Sequence, residues 1–151
     1  MRFHLTPLLA ANRYCALSNL QNFDAIAAMI DPNDACVYGN RGTDNIMRGI
    51  KSFHETYRDV FWIFKSYNQE MNTLKILVDF DRYWSENPAD SSSTAIYCSS
   101  ASEIIEFSSE GCIVSIAYKN HPTEPRLFGS AYPESRNGVL DECRTTVVDT
   151  E

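Results

Sequence analysis

The sequence predicts one α+β domain in which helices come first and antiparallel strands follow. From Ile50 to Phe64, apolar residues recur at steps of three and four, which is the period of a helix face. After Lys65 they alternate with polar residues, which is the period of a strand. A parallel βαβ fold would instead interleave its helices and strands. At 151 residues the chain suits one domain with a core.

Two helices are predicted before the first strand. Thr6 can cap the free N–H groups of a helix over residues 7–20, whose first residue is a proline that this position tolerates. Asn22 opens a second helix, which Pro32 ends. The chain then enters a predicted strand over residues 35–39.

A third, amphipathic helix is predicted after a loop over residues 40–48. Its apolar face is formed by side chains at helical spacing, namely Ile50, Phe53, Tyr57, Phe61 and Phe64. His54 lies beside this stripe. A helix with one such apolar face is expected to pack on a sheet.

Antiparallel strands joined by turns account for the following residues. The predicted segments are a strand at 74–78, a turn at 79–81, a returning strand from 82, a polar loop at 87–93, a strand at 94–107, a hairpin connection at 108–111 and a strand at 112–119. Residues 1–120 are therefore predicted to form the domain. Residues 121–151 contain three prolines and are predicted to be an irregular C-terminal extension.

Composition argues against several classes of partner. The chain has 13 Lys and Arg but 20 Asp and Glu, and the basic residues form no cluster. Neither a nucleic-acid nor an anionic-membrane partner is therefore expected. The apolar run near the N-terminus is interrupted by Asn12 and Arg13, and is too short and polar for a signal peptide. No other stretch approaches a membrane span. We therefore expect a soluble, cytoplasmic protein.

The five cysteines fit neither a zinc site nor a disulfide framework. They are odd in number, widely spread and without a C-x-x-C pair: Cys15, Cys36, Cys98, Cys112 and Cys143. We interpret them as small buried hydrophobic residues in a reducing compartment. The sequence shows no metal-ligand cluster and no phosphate-binding glycine loop. Neither a metal nor another cofactor is expected.

Four stretches, taken in order, resemble the NTF2-like superfamily, which includes ketosteroid isomerases and SnoaL-like cyclases and dehydratases. They are Arg13-Tyr14, residues 34–39, Arg48-Gly49 leading into Phe53 and Tyr57, and residues 105–115. The resemblance covers about residues 8–119. It implies a cystatin-like cone, in which three N-terminal helices pack on a curved antiparallel sheet and enclose a pocket.

The resemblance also implies candidate catalytic residues. In ketosteroid isomerases a helix-one tyrosine and a strand carboxylic acid form an oxyanion hole, and these positions match Tyr14 and Glu103. The general base of those enzymes would fall on Gly39, which cannot move a proton, so steroid isomerisation is not expected. Asp44 in the following loop and His54 on the third helix are the two alternatives for moving the proton.

Each candidate also has a purely structural explanation. Tyr14 is then a core tyrosine with a bonded hydroxyl, Asp44 a helix or turn cap, and His54 a surface histidine. Glu103 faces inward if Ile105 does, and a buried carboxylate has to be protonated, paired or functional. In the opposite phase of the strand, Glu103 is a solvated surface residue.

The main functional hypothesis is a cofactor-independent isomerase, cyclase or dehydratase acting on a hydrophobic, oxygenated small molecule. Tyr14 and a protonated Glu103 would donate hydrogen bonds to the substrate oxygen, while Asp44 or His54 moves the proton. The expected pocket walls are Tyr38, Phe53, Tyr57, Phe61, Trp84, Tyr97, Ile116 and Tyr118. The resemblance links such proteins to secondary-metabolite biosynthesis.

A second hypothesis is a non-catalytic module for ligand binding or assembly. The superfamily also contains proteins of this class, and the missing base at Gly39 favours it. Under either hypothesis, the resemblance implies a homodimer formed through the outer face of the sheet.

Overall fold

The computed structural model describes residues 5–86 and 94–151, which form helices packed on one curved, unclosed sheet. The helices are α1 (Pro7–Asn19), α2 (Phe23–Met29), α3 (Thr43–Thr56) and α4 (Arg136–Asp149). The strands are β1 (Cys36–Val37), β2 (Asn40–Arg41), β3 (Arg58–Gln69), β4 (Lys75–Glu86), β5 (Ala95–Phe107), β6 (Ile113–Asn120) and β7 (Arg126–Gly129). The predicted α+β class is confirmed.

The sheet has the strand order β2-β1-β6-β5-β4-β3, and β7 pairs with the N-terminal half of β5. Neighbouring strands are antiparallel except β1 and β6, which are parallel, with Cys36 beside Ser115. The prediction of a wholly antiparallel sheet is therefore wrong at this pair. No tight turn joins β1 to β6, so chain connection does not impose an antiparallel direction on them.

The first two helices begin where the sequence predicts. Thr6 Oγ1 accepts a hydrogen bond from the Leu9 amide at 3.3 Å, and Pro7 is the first residue of α1. Asn22 Oδ1 accepts one from the Ala25 amide at 3.2 Å, which caps α2. Both caps satisfy amide groups that the first helical turn leaves without partners.

The third helix is present but lies further towards the N-terminus than predicted. It begins at Thr43, inside the segment predicted as a loop, and ends at Thr56. The predicted apolar stripe continues into β3, where Phe61 and Phe64 alternate in direction. Residues 60–62 are all buried because both faces of β3 are covered there, which a helical face cannot achieve.

The predicted turn at residues 79–81 is also wrong, because these residues lie in the middle of β4. Asp79 and Asp81 point to the outer face of the sheet. There Ser66 Oγ donates to Asp79 Oδ2 at 2.8 Å, and Ser100 Oγ donates to Asp81 Oδ1 at 2.6 Å. Lys65 Nζ lies 3.2 Å from Asp81 Oδ1. Neighbouring strands thus supply the polar partners that let two aspartates stay within a strand.

The long strand predicted at 94–107 and the hairpin connection after it are confirmed. β5 spans Ala95–Phe107, and the Ser108 amide donates to the Cys112 carbonyl at 2.8 Å to close the connection. The polar loop predicted at residues 87–93 lies outside the described residues.

The C-terminal segment is not irregular, contrary to the prediction for residues 121–151. β7 extends the sheet, and α4 packs beside α1. Val139 and Leu140 of α4 pack with Phe61 and Tyr83 on the outer side of the sheet. The segment therefore packs against α1 and the sheet formed by the described part of residues 5–120. Its few apolar residues need this tertiary surface to form a helix, which local patterns cannot indicate.

Arg13 joins the two terminal helices. Its Nη1 donates to the Val147 carbonyl at 3.0 Å and to Thr150 Oγ1 at 3.1 Å, at the C-terminal end of α4. A cation at this end of a helix also interacts favourably with the helix dipole. Among the described residues, no helix is both long and apolar enough to cross a membrane.

We expect Arg13→Gln to lower the free energy of unfolding by about 1 kcal/mol, because it removes two hydrogen bonds and the charge at the end of α4. Urea unfolding measures this loss. Arg48→Gln is the matched control, since Arg48 is exposed and its one side-chain hydrogen bond within the described residues is to Asn45 of its own helix, at 3.1 Å. Equal stabilities of the two variants would contradict a role for Arg13 in holding α4.

Candidate functional site

A cavity of about 230 Å³ lies between α1, α3 and the inner face of the sheet. Its lining residues are Tyr14, Ser18, Val37, Tyr38, Asn40, Ile46, Gly49, Ile50, Phe53, His54, Trp62, Phe80, Arg82 and Tyr118. Most of this wall is apolar or aromatic, with a few polar groups among it. Such a surface is typical of sites for small molecules.

Glu103 faces inward, as the first of the two strand phases predicts. It is 3% exposed and lies opposite Tyr118 in the pairing of β5 with β6. The hydroxyl of Tyr38 donates a hydrogen bond to Glu103 Oε2. Tyr38 lines the cavity and Glu103 lies behind it, so Tyr38 connects the carboxyl group to the cavity.

Tyr38 is held in an unusual backbone conformation by a tight hairpin. Val37 pairs with Asn40, so Tyr38 and Gly39 form a two-residue loop, and their φ angles are +49° and +84°. Positive φ at both positions is easy for glycine and costs a tyrosine on the order of 1–3 kcal/mol. The turn therefore explains why glycine stands at residue 39, and places local strain at a residue that lines the cavity.

Burial dominates the electrostatics around Glu103. It raises the pKa of Glu103 to about 7, although the Tyr38 hydrogen bond and the Arg82 charge lower that pKa in part. Burial also raises the pKa of Tyr14, Tyr38 and Tyr118, and the Glu103 charge adds to each increase, although Tyr38 as a whole residue is 40% exposed. Near neutral pH the three phenols thus stay protonated while Glu103 can change its charge.

Arg82 is a site residue that the sequence analysis missed. It is 5% exposed, and its Cζ lies 4.7 Å from the ring centre of Tyr57, 5.0 Å from that of Phe53 and 5.5 Å from that of Trp84. Its Nη1 makes a long hydrogen bond of 3.5 Å to the Tyr118 hydroxyl. The signal was present in the sequence, since residue 82 shares the apolar face of residues 76–84 when these form one unbroken strand.

The two residues predicted to move the proton have different positions. His54 lines the cavity, contacts the rings of Phe53 and Trp62, and has a buried Nδ1 with no partner among the described residues. Burial lowers its pKa to about 4, so it is neutral and weakly basic near pH 7. Asp44 is exposed in the first turn of α3 and does not line the cavity. A carboxylate in the first turn interacts favourably with the positive end of the helix dipole, and this accounts for Asp44 structurally.

The predicted wall residues divide into three groups. Tyr38, Phe53 and Tyr118 line the cavity, while Tyr57, Trp84 and Tyr97 belong to the aromatic cluster around Arg82. Ile116 lies in the main core. Phe61 is on the opposite face of the sheet, so its predicted place in the wall is wrong. Trp62 and Phe80, which do line the cavity, were missed because β3 was predicted as helix and residues 79–81 as a turn.

Neither a metal site nor a disulfide is formed by the described residues. No three His, Cys, Asp or Glu side chains in residues 5–86 and 94–151 are grouped so that they could hold a metal ion. All five cysteines are free thiols, and Cys15, Cys98 and Cys143 are buried. The ionisable groups at or directly behind the cavity wall are three phenols, the Glu103 carboxyl group, the Arg82 guanidinium group and the His54 imidazole.

Several solved structures share this fold at low sequence identity. A cystatin-fold protein of Novosphingobium aromaticivorans superposes with a TM-score of 0.60 and 13% identity, over 76% of this chain and 97% of that chain. A candidate polyketide cyclase of Sinorhizobium meliloti superposes with a TM-score of 0.58 and 15% identity, over 73% of this chain and 93% of that chain. A candidate SnoaL-like polyketide cyclase of Shewanella putrefaciens superposes with a TM-score of 0.61 and 5% identity, over 93% of this chain and 86% of that chain. No family model and no curated protein matches the sequence.

These likenesses extend over most of each chain. Proteins described as cystatin-fold or as SnoaL-like thus share the arrangement of helices and curved sheet found in this chain. At such low identity the likeness concerns the fold, and the chemistry has to be argued from the site. The chain therefore has the cystatin-like α+β fold of these solved structures.

Proposed function

We propose that the protein is a cofactor-independent enzyme that removes a proton from a hydrophobic, oxygenated small molecule, as an isomerase, cyclase or dehydratase does. The hydrogen bond from Tyr38 to Glu103 is the observation that supports this most directly. It couples a cavity-lining hydroxyl to a buried carboxyl group whose pKa is raised to about 7. A base is most effective when its pKa lies near the working pH.

The proposed step begins with an ionised Glu103. The Tyr38 oxygen takes a proton from a carbon next to a substrate carbonyl group, and the Tyr38 hydroxyl proton passes to Glu103 at the same time. The C–H bond breaks, and its electron pair moves to the carbonyl oxygen as an enolate. Tyr14 lines the same cavity and its hydroxyl stays protonated, so it can donate a hydrogen bond to that oxygen.

These roles differ from the sequence-based hypothesis in two respects, namely the protonation state of Glu103 and the identity of the base. There, Glu103 was a protonated donor and the base was Asp44 or His54. Asp44 is exposed, and the low pKa of His54 makes it a weak base. In the structure Glu103 accepts a hydrogen bond, and Tyr38 stands beside the glycine that replaces the expected base. The Tyr38–Glu103 pair can therefore supply the missing base.

The fold is compatible with this chemistry, since candidate polyketide cyclases share it. A cyclisation that forms a carbon–carbon bond next to a carbonyl group also begins with removal of such a proton. The apolar wall would exclude water from the enolate. A role in secondary-metabolite biosynthesis, a homodimer through the sheet and a cytoplasmic location remain predictions.

Deuterium exchange tests the proposal without knowledge of the product. A panel of small aromatic and cyclic ketones is incubated with the protein in D2O, and incorporation next to the carbonyl group is followed by NMR. We expect exchange above the buffer rate for at least one compound, and a loss of about 100-fold or more in Glu103→Gln. Glu106→Gln is the matched control, because Glu106 is on the same strand but on the outer face.

Two results would contradict the proposal. One is the absence of exchange above the buffer rate throughout the panel, which would favour the non-catalytic module. The other is a Glu103→Gln variant that folds and exchanges at the wild-type rate. Circular dichroism of both variants establishes that they are folded.

A further inference from the structure

The inner wall of the cavity contains a buried positive charge that the proton-transfer step does not use. Among the described residues that line the cavity, Arg82 alone has a permanent charge, and the other basic group of this wall, His54, is neutral near pH 7. No carboxylate oxygen of the described residues lies within 4.0 Å of the Arg82 guanidinium group. Its Nε is buried and has no hydrogen-bond partner in this part of the chain.

The Arg82 charge acts on Glu103 from beyond contact distance, but no carboxylate of the described residues touches the guanidinium group, and a buried guanidinium group without such a contact is costly. Taking an ion out of water costs several kcal/mol unless an opposite charge and hydrogen bonds compensate. The aromatic rings of Phe53, Tyr57 and Trp84 compensate in part, because cations are attracted to ring faces. The Tyr118 hydroxyl adds one long hydrogen bond. Most of the five N–H donors of this group remain available to a ligand.

The neighbouring rings restrict which ligand group can bind. Because aromatic side chains pack against the guanidinium group, a ligand is best placed to approach along its edge. A carboxylate offers two oxygen atoms in one plane, which match two parallel N–H donors of an arginine edge. A doubly charged phosphate would call for more cationic partners than this wall contains. A singly charged carboxylate therefore matches Arg82, the one cation at the cavity surface, while Glu103 stays behind Tyr38 and more than 4.0 Å from the guanidinium group.

Cavity size and wall chemistry limit the rest of the ligand. An engineered apolar cavity of about 150 Å³ in another protein holds one benzene molecule. The cavity here is about 230 Å³, which leaves room for one ring and a small substituent. Trp62, Phe80 and Ile50 provide flat and aliphatic surface for that ring.

We propose that the cavity binds a monocyclic, hydrophobic carboxylate whose carboxylate group contacts Arg82. The inference rests on the proposed function only in taking this cavity as the substrate site. It narrows the substrate class from hydrophobic oxygenated molecules to small ring compounds with one negative charge. Arg82 then acts in binding and orienting the substrate, while Tyr38 and Glu103 move the proton.

Benzoate and its neutral isostere benzamide are suitable probes, because they share a ring and differ in charge. Isothermal titration calorimetry should give a benzoate affinity for the wild type at least about tenfold higher than the benzamide affinity. Arg82→Gln should bind both equally. Arg136→Gln is the matched control and should keep the preference, since Arg136 also packs on an aromatic ring, at 3.9 Å from that of Tyr132, but does not line the cavity.

Three results would overturn the inference. They are equal wild-type affinities for the two probes, a retained preference for benzoate in folded Arg82→Gln, and no benzoate binding up to about 10 mM, which is weak even for a ligand of this size. The comparison of benzoate and benzamide affinities in the wild type needs no variant, so it tests the inference even if Arg82→Gln does not fold. Glu103→Gln separates the two proposals, because it should lose deuterium exchange and keep the preference for benzoate.

Discussion

Glu103→Gln should be more stable than the wild type above pH 7, by up to about 3 kcal/mol in the free energy of unfolding. The pKa of Glu103 rises from 4.5 to about 7 on folding, and burial is the main cause. Each pKa unit of difference between the folded and unfolded states changes the free energy of unfolding by about 1.4 kcal/mol. A glutamine carries no charge to desolvate, and its amide oxygen can still accept the hydrogen bond from Tyr38. The variant thus keeps the contact and removes the cost of a buried carboxylate.

The stability that Glu103→Gln gains over the wild type should increase with pH. Because the pKa is higher in the folded state, the contribution of Glu103 to stability is complete below about pH 4.5 and is lost as the pH rises to about 7. The groups facing Glu103 do not titrate in this window, since Tyr14, Tyr38 and Tyr118 stay protonated and arginine stays charged.

His54 changes the wild-type curve in the opposite sense. Burial lowers its pKa from 6.5 to about 4, so its contribution is present above pH 6.5 and is lost as the pH falls to about 4. The two trends offset each other in the wild type. The difference in stability between variant and wild type isolates Glu103, because His54 is the same in both.

Urea unfolding at several values between about pH 4 and pH 9 measures that difference. It should be near zero at the acidic end, grow through the window and then stay constant. Glu106→Gln, on the outer face of the same strand, should show no such growth. A difference for Glu103→Gln that is flat, or that decreases with pH, would mean that the carboxyl group is not raised in pKa by burial.

The parts of this structure that the sequence predicted correctly depend on local chemistry. Thr6 and Asn22 cap helices with their own side chains, within three residues of the amides that they bind. Likewise, the alternation of β5 extends over a whole strand, so its phase places Glu103 inward without knowledge of the other strands. Signals of this kind survive tertiary contacts because they are satisfied within one element.

The errors arose where distant segments decide the local structure. Asp79 and Asp81 are turn-forming residues in isolation, but Ser66 and Ser100 from the adjacent strands bind them within β4. That error concealed the inward phase of Arg82. The helical spacing of aromatic residues continues into β3 because α1 and α3 cover one face of that strand and α4 covers the other, which no local pattern reveals.

Tyr38 shows a further limit of sequence reasoning. The sequence analysis assigned it to the pocket wall as part of a strand, whereas it occupies a turn with positive φ. Only the pairing of β1 with β2 requires that conformation. The base that the resemblance leaves absent at Gly39 is thus replaced, in the proposed function, by its neighbour and by a carboxyl group on another strand.

Tyr38→Phe should lower the exchange rate of an identified substrate by a factor of about 100 to 10,000, which is the usual contribution of a general base. It removes the hydroxyl that links the cavity to Glu103, and leaves the aromatic ring in the wall. Tyr83→Phe is the matched control. Tyr83 is a buried tyrosine on the opposite face of the sheet, so its hydroxyl should not affect exchange.

The pH dependence of the same rate separates a base from a structural residue. If ionised Glu103 receives the proton through Tyr38, the wild-type rate rises with pH and has its midpoint near the pKa of about 7. The residual rate of folded Glu103→Gln should lack that midpoint, whereas a residue that only maintains the fold would leave the midpoint in place. A wild-type rate that falls through pH 7 would instead assign Glu103 the role of protonated donor, and the base would have to be sought elsewhere on the cavity wall.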